Sequence, residues 1–231
     1  MKSVVVVDPP RADHGVVAEL GALGVATVHE AAGRAGLLGT RLRPVWPGAR
    51  MAGTAVTVLC PPGDNLMIHV AVEQARPGDV LVVTTTSPSS DGLVGELIAT
   101  ALAARGAHGL VTTTGVRDVA AMARARFPVW SEAISAQGTV KATAGSVNVP
   151  ICIAGTVVAP GDAVIADEDG VVCIPRLDAA EVAANGKIRA EREDQARAAF
   201  ARGELSLDRY GLRPELERLG VVYVRADLRE T

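Results

Sequence analysis

The chain has 231 residues, 48% hydrophobic and 21% charged, with a formal net charge of −3, which suffices for one α/β domain with a substantial core. There is no Lys/Arg block and no basic stretch interleaved with aromatics, and no apolar run nears the roughly 20 residues that cross a bilayer, which argues against nucleic acid and membrane as direct partners. Aromatic residues are only 3%, so the core must be built from Val, Leu, Ile and Ala, as in a Val-rich sheet covered by Ala-rich helices.

The opening Met1–Asp8 carries too short an apolar run for a secretory signal and is followed by Pro9-Pro10, so a cytoplasmic protein is expected. Asp13 to Gly36 reads as two short helices, with Thr27 and Glu30 at capping-box spacing before the second. Arg50 to Leu59 is a strand closed by Pro61-Pro62-Gly63, and a helix then runs to Arg76 with Asp64 or Asn65 as its cap. Val80 to Thr84 is nearly all apolar and reads as a central strand; Thr85 to Ser90 is a polar loop. Asp91 to Arg105 has Leu93, Leu97, Ile98, Ala101 and Leu102 at helical spacing, with Gly106 as its stop. Gly109 to Thr114 is the next strand, and a short helix follows Asp118 towards Arg126.

From Pro128 onward, Gly, Pro and Asp-Gly signals recur between Val-rich runs, which marks a β-rich half with Asp169-Gly170 as a tight turn. Asp167 and Asp169 read as turn residues, because the other ligands of a calcium loop are missing. Asp178 to Arg202 is a long charged helix, followed by a helical tail that ends in an apolar strand at Val221–Val224. Such a tail buries little by itself and points to a second copy of the chain. The expected organisation is a single domain over 1–231, with a core at about 13–176 and an oligomerisation tail at about 178–231. Cys60, Cys152 and Cys173 are odd in number and widely spaced, so buried thiols are expected rather than disulfides or zinc ligands.

The chemistry concentrates between Gly95 and Asp118. From Glu96 the chain runs down about ten helical residues, roughly 15 Å, and returns over a strand of roughly 16 to 20 Å. The two paths nearly cancel. Glu96 and Arg117-Asp118 therefore come together at the carboxyl end of a strand, where α/β folds place ligands. Asp118 reads either as a ligand for a hard cation or as the cap of the following helix. Arg117 reads as a carboxylate clamp or as a surface ion-pair partner, and Glu96 is favoured in a first helical turn by the dipole alone. Backbone N–H groups between Gly92 and Leu97 add an anion site, and together the set suits a 2-oxo acid. No nucleophile elbow, HExxH helix, P-loop or dinucleotide fingerprint is present. Of the three lysines, Lys2, Lys141 and Lys187, only Lys141 lies near strand-like sequence, and the Glu/Arg/Asp set favours metal assistance over a Schiff base.

Gly63-Asp-Asn-Leu66, Gly95-Glu-Leu-Ile98, Gly115-Val-Arg-Asp118, Ser135-Ala-Gln-Gly-Thr-Val-Lys141, Gly145-Ser-Val-Asn-Val-Pro150 and Gly203-Glu-Leu-Ser-Leu-Asp208 together resemble the 4-hydroxy-4-methyl-2-oxoglutarate/4-carboxy-4-hydroxy-2-oxoadipate aldolases. These are divalent-metal pyruvate aldolases that share the swivelling β/β/α fold of the regulator of ribonuclease E activity A. The resemblance runs almost from end to end. It implies an RraA-like α/β fold with a C-terminal helical tail, a Mg²⁺ or Mn²⁺ cofactor, and a homotrimer or dimer of trimers. By the same resemblance, Asp118 is the metal ligand, Arg117 stabilises the pyruvate enolate, and Gly95 and the Leu97 N–H hold the pyruvate carboxylate. Glu96 orients water at the metal, Asn65 lines the pocket, and Glu193 on the long helix is lent by a neighbouring subunit. The implied reaction is retro-aldol cleavage of a 4-hydroxy-2-oxo acid, with oxaloacetate decarboxylation as a side activity through the same enolate. This chain departs from the family pattern at Ala121 and Thr113, where acids are frequent, which touches metal affinity and substrate preference. The rival reading is a non-catalytic RraA-like regulator that binds a ribonuclease or another protein, since fold alone does not fix function. Regulators of that type are expected to stop soon after the β-rich half and to lack the full acid set.

Overall fold

The structure is a computed structural model that describes residues 2–225; the end of the expected tail, 226–231, lies outside the described residues. The chain divides into two compact units, Met1–Lys187 and Ile188–Thr231. In the first unit the strands are β1 (Arg43–Pro44), β2 (Met51–Cys60), β3 (Asp79–Thr85), β4 (Gly92–Val94), β5 (Gly109–Val116), β6 (Val129–Ile134), β7 (Ser146–Val147), β8 (Ile151–Ile153), β9 (Thr156–Val158), β10 (Ala163–Asp167) and β11 (Gly170–Ile174). The helices are α1 (His14–Leu23), α2 (Val25–Ala31), α3 (Leu66–Gln74), α4 (Glu96–Ala104) and α5 (Val119–Arg124). A sixth helix, α6 (Ala179–Ala201), crosses from the first unit into the second.

One sheet carries the order β1-β6-β5-β3-β2-β10-β11, with β4 on β5 and β7 on β2. Its middle, β2, β3, β5 and β6, is parallel. A parallel sheet covered on both faces should show no polar face. β3 does so: Leu81 and Val83 join the core under α3, α4 and α5, while Val80 and Val82 join a second core around Trp130, Leu38 and Leu42. A third cluster packs α1, α2 and the start of α6 on β10 and β11.

Several local expectations are corrected. The helix expected over Asp91–Arg105 begins only at Glu96, because Gly92–Val94 pairs instead as a strand with Gly115 and Val116. Its buried face is Ile98, Ala99 and Leu102, whereas Leu97 is 82% exposed. Gly106, at φ +76°, is the expected stop. Thr27 lies inside α2 rather than at its cap; the Asp167 carboxylate, far along the chain, accepts the Val25 N–H at 2.8 Å instead. In the β10–β11 hairpin Asp167 pairs with Gly170, so the turn residues are Glu168 and Asp169 rather than Asp169-Gly170. Cys60 and Cys173 are buried, but Cys152 is exposed, since the short β8 turns Ile151 and Ile153 inward and its middle residue outward.

The second unit holds the later part of α6 with α7 (Ser206–Arg209) and α8 (Arg213–Arg218). Phe200 and Tyr210 meet edge to face at 5.9 Å. The strand expected at Val221–Val224 is not formed: these residues are exposed and, among the described residues, lie in no strand ladder. A strand needs a neighbour to satisfy its backbone.

Candidate functional site

Two parallel strands that leave a sheet side by side deliver their next residues to one place. β4 and β5 are such a pair, with Gly92 opposite Gly115 and Val94 opposite Val116. Gly95-Glu96 and Arg117-Asp118 are the residues that follow them, and the Arg117 N–H donates to the Val94 carbonyl at 2.9 Å.

Asp118 occupies the cap position of α5, but its side chain accepts nothing from that helix. Its backbone is left-handed, φ 58° and ψ 32°, a conformation that Asp tolerates better than most residues and that recurs at functional positions. This turn aims the carboxylate at the start of α4, where Oδ2 accepts the Glu96 N–H at 3.2 Å. Among the described residues its Oδ1 accepts no hydrogen bond. The Arg117 Nε lies 3.7 Å from the same Oδ2, both side chains being about half exposed, so this contact adds little stability. The Leu97 and Ile98 N–H groups belong to the first turn of α4, which has no intrahelical carbonyl for them.

These groups line a cleft of about 160 Å³ together with Asn65, His69, Leu93 and Lys141. Asn65 sits at the cap of α3, yet the Asp64 carboxylate does the capping, accepting the Leu66 N–H at 2.9 Å. Asn65 Nδ2 instead donates to the Leu93 carbonyl at 2.9 Å and so ties α3 to β4. His69 lies one turn further along α3; burial, and then the Lys141 ammonium, hold its imidazole below the ordinary value. His69 was not singled out from the sequence, although its spacing of four from Asn65 places both on one helix face. Of the expected site residues, Gly95, Leu97, Asn65, Arg117 and Asp118 line the cleft; Glu96 is not part of that lining and is tied to it by its backbone N–H, which donates to Asp118 Oδ2. Glu193 is in the second unit, on α6, where it pairs with Arg189 at 2.8 Å.

The donor set can be tested against the implied cation. Among the described residues no three His, Cys, Asp or Glu side chains gather as a metal group, so a cage made wholly of protein is absent. One half-exposed carboxylate with a free oxygen fits a hard cation that keeps most of its water, as Mg²⁺ does. A larger cavity of about 530 Å³ opens elsewhere, lined by the end of β3, by Thr113 within β5 and by Glu132 within β6. Its Arg41 and Glu132 pair with each other at 3.0 Å, and its Thr84 and Thr113 hydroxyls bond at 2.9 Å, which leaves less unused chemistry than the cleft offers.

The mixed α/β fold is that of the RraA-like class. Residues 25–173 match the family described as Aldolase/RraA, and the chain belongs to it. It is 29% identical over 160 residues to a protein of Halalkalibacterium halodurans named "Putative 4-hydroxy-4-methyl-2-oxoglutarate aldolase", covering 69% of this chain and 76% of that one. A Burkholderia multivorans protein of the same name is 35% identical over 142 residues, or 62% of this chain and 86% of that one. Among solved structures, Streptomyces coelicolor RraAS2, an unusual member of the RNase ES inhibitor RraA protein family, aligns with a TM-score of 0.74 at 24% identity, over 82% of this chain and 99% of that one. This last likeness speaks for the fold alone, and the fold is the RraA-like α/β type expected from the sequence, with C-terminal helices.

Proposed function

We propose that the chain is a divalent-metal-dependent aldolase that cleaves 4-hydroxy-2-oxo acids, such as 4-hydroxy-4-methyl-2-oxoglutarate and 4-carboxy-4-hydroxy-2-oxoadipate, to pyruvate and a second oxo acid. The observation that carries this reading is the left-handed turn at Asp118, which directs its carboxylate to the N-terminus of α4 beside Arg117. The two relatives named as aldolases support it.

In this reading Asp118 holds Mg²⁺ or Mn²⁺, and the bound cation supplies Lewis-acid polarisation of the 2-oxo group. The first-turn N–H of Leu97 and the Arg117 guanidinium receive the carboxylate of the pyruvyl end, with Gly95 leaving room for it. Glu96 orients a water that takes the proton from the C4 hydroxyl. As the C4 carbonyl forms, the C3–C4 bond breaks and its electron pair becomes the pyruvate enolate, which gains a proton at C3 to give pyruvate. Arg117 neutralises that developing charge, and one such well-placed donor contributes about 3 to 4 kcal/mol. Loss of CO₂ from oxaloacetate passes through the same enolate, so decarboxylation accompanies cleavage. The protein works in the cytoplasm as a homotrimer or dimer of trimers, with Glu193 of a neighbouring subunit completing each site. Coupling pyruvate release to NADH oxidation by lactate dehydrogenase tests the assignment on both substrates. Pyruvate should appear from at least one; none from either, with Mg²⁺ or Mn²⁺ present, would favour the RraA-like regulator that binds a ribonuclease or another protein.

A further inference from the structure

Residues 4–7 extend one margin of the sheet, bridged in parallel to β7 through Val5 and Val147. The Val147 N–H donates to the Val4 carbonyl and the Val6 N–H to the Val147 carbonyl, at 2.9 and 3.1 Å, and the Asn148 side chain donates to the Val6 carbonyl at 2.8 Å. Successive residues of an extended chain turn their backbone groups to opposite sides, so the N–H and C=O groups of Val5 and Val7 point away from β7. Among the described residues nothing bonds to them. The four valines are between 38% and 64% exposed, so the faces of this edge are bare as well as its margin. Proteins guard such edges with charge, proline or a covering segment. Here the guard begins only at Asp8, where a left-handed backbone, φ 52°, and the following Pro9-Pro10 end the extended run.

The chain also carries the converse. Val222, Tyr223 and Val224 have the composition of a strand, are 65% to 79% exposed, and make no backbone hydrogen bond among the described residues. An edge lacks a strand, and a strand former lacks an edge. We infer that residues 222–224 of a second copy dock on the outer edge of residues 4–7 as an added parallel strand. Charge sets the direction. Parallel pairing with Tyr223 opposite Val6 brings Arg225 opposite Asp8, whose side chain is 62% exposed although it already holds Arg76; the antiparallel direction would carry Arg225 back towards Lys2, a like charge. In the parallel register the Tyr223 N–H meets the Val5 carbonyl and the Val7 N–H meets the Tyr223 carbonyl, which are the groups that β7 leaves over. Edge and segment are different parts of the chain, so each copy gives one contact and receives another, a head-to-tail arrangement that closes as a ring. This joining of copies does not depend on the reaction.

The test is a cross-link between full-length chains. Cys60 and Cys173 are buried and Cys152 is exposed, so Cys152→Ser leaves only introduced thiols to react. Chains carrying Val6→Cys and chains carrying Tyr223→Cys are produced separately and by co-expression, and each preparation is treated with a short bismaleimide. Facing residues on neighbouring strands lie about 5 Å apart between Cβ atoms, so a covalent dimer should form in the co-expressed protein and in neither kind of chain alone. Dimer from one kind alone would mean that like segments meet, and no dimer in the mixture would mean that the tail docks elsewhere; either result overturns the inference. As a second measurement, Val7→Pro removes one outward N–H without touching the bonds made by Val4 and Val6. It should raise the concentration at which the oligomer dissociates about tenfold in sedimentation, whereas Val7→Thr keeps the N–H and should stay within about threefold of wild type. Equal effects of the two substitutions would assign the contact to the valine side chain and overturn the strand pairing.

Discussion

Gly95 is the residue whose smallest change should do most harm to the site and least to the fold. Its backbone, φ −145° and ψ −168°, is extended and open to any residue, so Gly95→Ala brings no backbone strain. The added methyl would stand 2.4 Å from Asp118 Oδ2 and 3.0 Å from Arg117 Cγ, where ordinary contact begins at 3.4 Å. The Asp118 carboxylate must therefore retreat by about 1 Å, and the Glu96 N–H loses its 3.2 Å contact. A displacement of that size in a positioned group lowers catalysis about 100-fold. The nearest atom belongs to a side-chain end rather than to backbone, and alanine for glycine at a helix cap costs roughly 1 kcal/mol, or about 2 to 4 °C in melting temperature for a chain of this size. The assay is kcat/KM for pyruvate release beside a circular-dichroism melt. Activity within about threefold of wild type would refute the placement of Asp118 against the α4 terminus; a collapsed melt would show that Gly95 is needed for folding instead.

Asp118→Asn should lose metal activation, whereas Arg117→Ala should keep metal binding and lose mainly kcat, because enolate charge develops on the way to the transition state; a change in KM alone would remove Arg117 from that role. Mixed oligomers of Asp118→Asn and Glu193→Ala chains should regain part of the activity, and a fully active Glu193→Ala protein would make that glutamate an ordinary surface charge. Asp79 is fully buried, bonded to Arg11 at 2.8 and 2.9 Å and to the Thr54 hydroxyl at 2.6 Å, so Asp79→Ala should cost about 3 to 5 kcal/mol in urea unfolding. For Asp64, burial alone would raise the carboxyl, but the N–H groups of Leu66, Ala142 and Thr143 together hold it below its ordinary value. Its contribution to stability is thus present above about pH 3.9, the unfolded value, and is lost as pH falls through the lower folded value. Asp64→Asn should flatten that acid limb of the stability curve, and an unchanged limb would contradict the assignment.

What was legible in the sequence was the part fixed by near neighbours. β3 declares itself by an apolar run bounded by turn residues, and α4 stops just short of Gly106, as its pattern requires. The return path from Glu96 to Asp118 followed from the rise of one helix and one strand alone, and the Glu96 N–H does meet Asp118. What was not legible came from distant pairing. Leu93 has helical spacing to Leu97, but the edge of β5 recruits Gly92–Val94 as a strand. The local Thr27–Glu30 pattern yields to an aspartate some 140 positions away, Asp167, on a hairpin no window around α2 contains. Val221–Val224 has strand composition but no strand neighbour among the described residues, and composition cannot supply one. At the site, the chemistry of Arg117 and Asp118 was readable, but the orientation of Asp118 depended on a left-handed backbone that its residue type permits without dictating. His69 becomes visible only once α3 and β4 are seen to share a wall of the cleft.

The most direct test of the central claim is pyruvate release from 4-hydroxy-4-methyl-2-oxoglutarate before chelation, after chelation and after Mg²⁺ is restored. The account predicts turnover that disappears with chelator and returns with the cation in wild type, and that returns in neither Asp118→Asn nor Gly95→Ala to more than about a hundredth of the wild-type rate. Full turnover in excess chelator, or substrate trapped on Lys141 by borohydride, would contradict it.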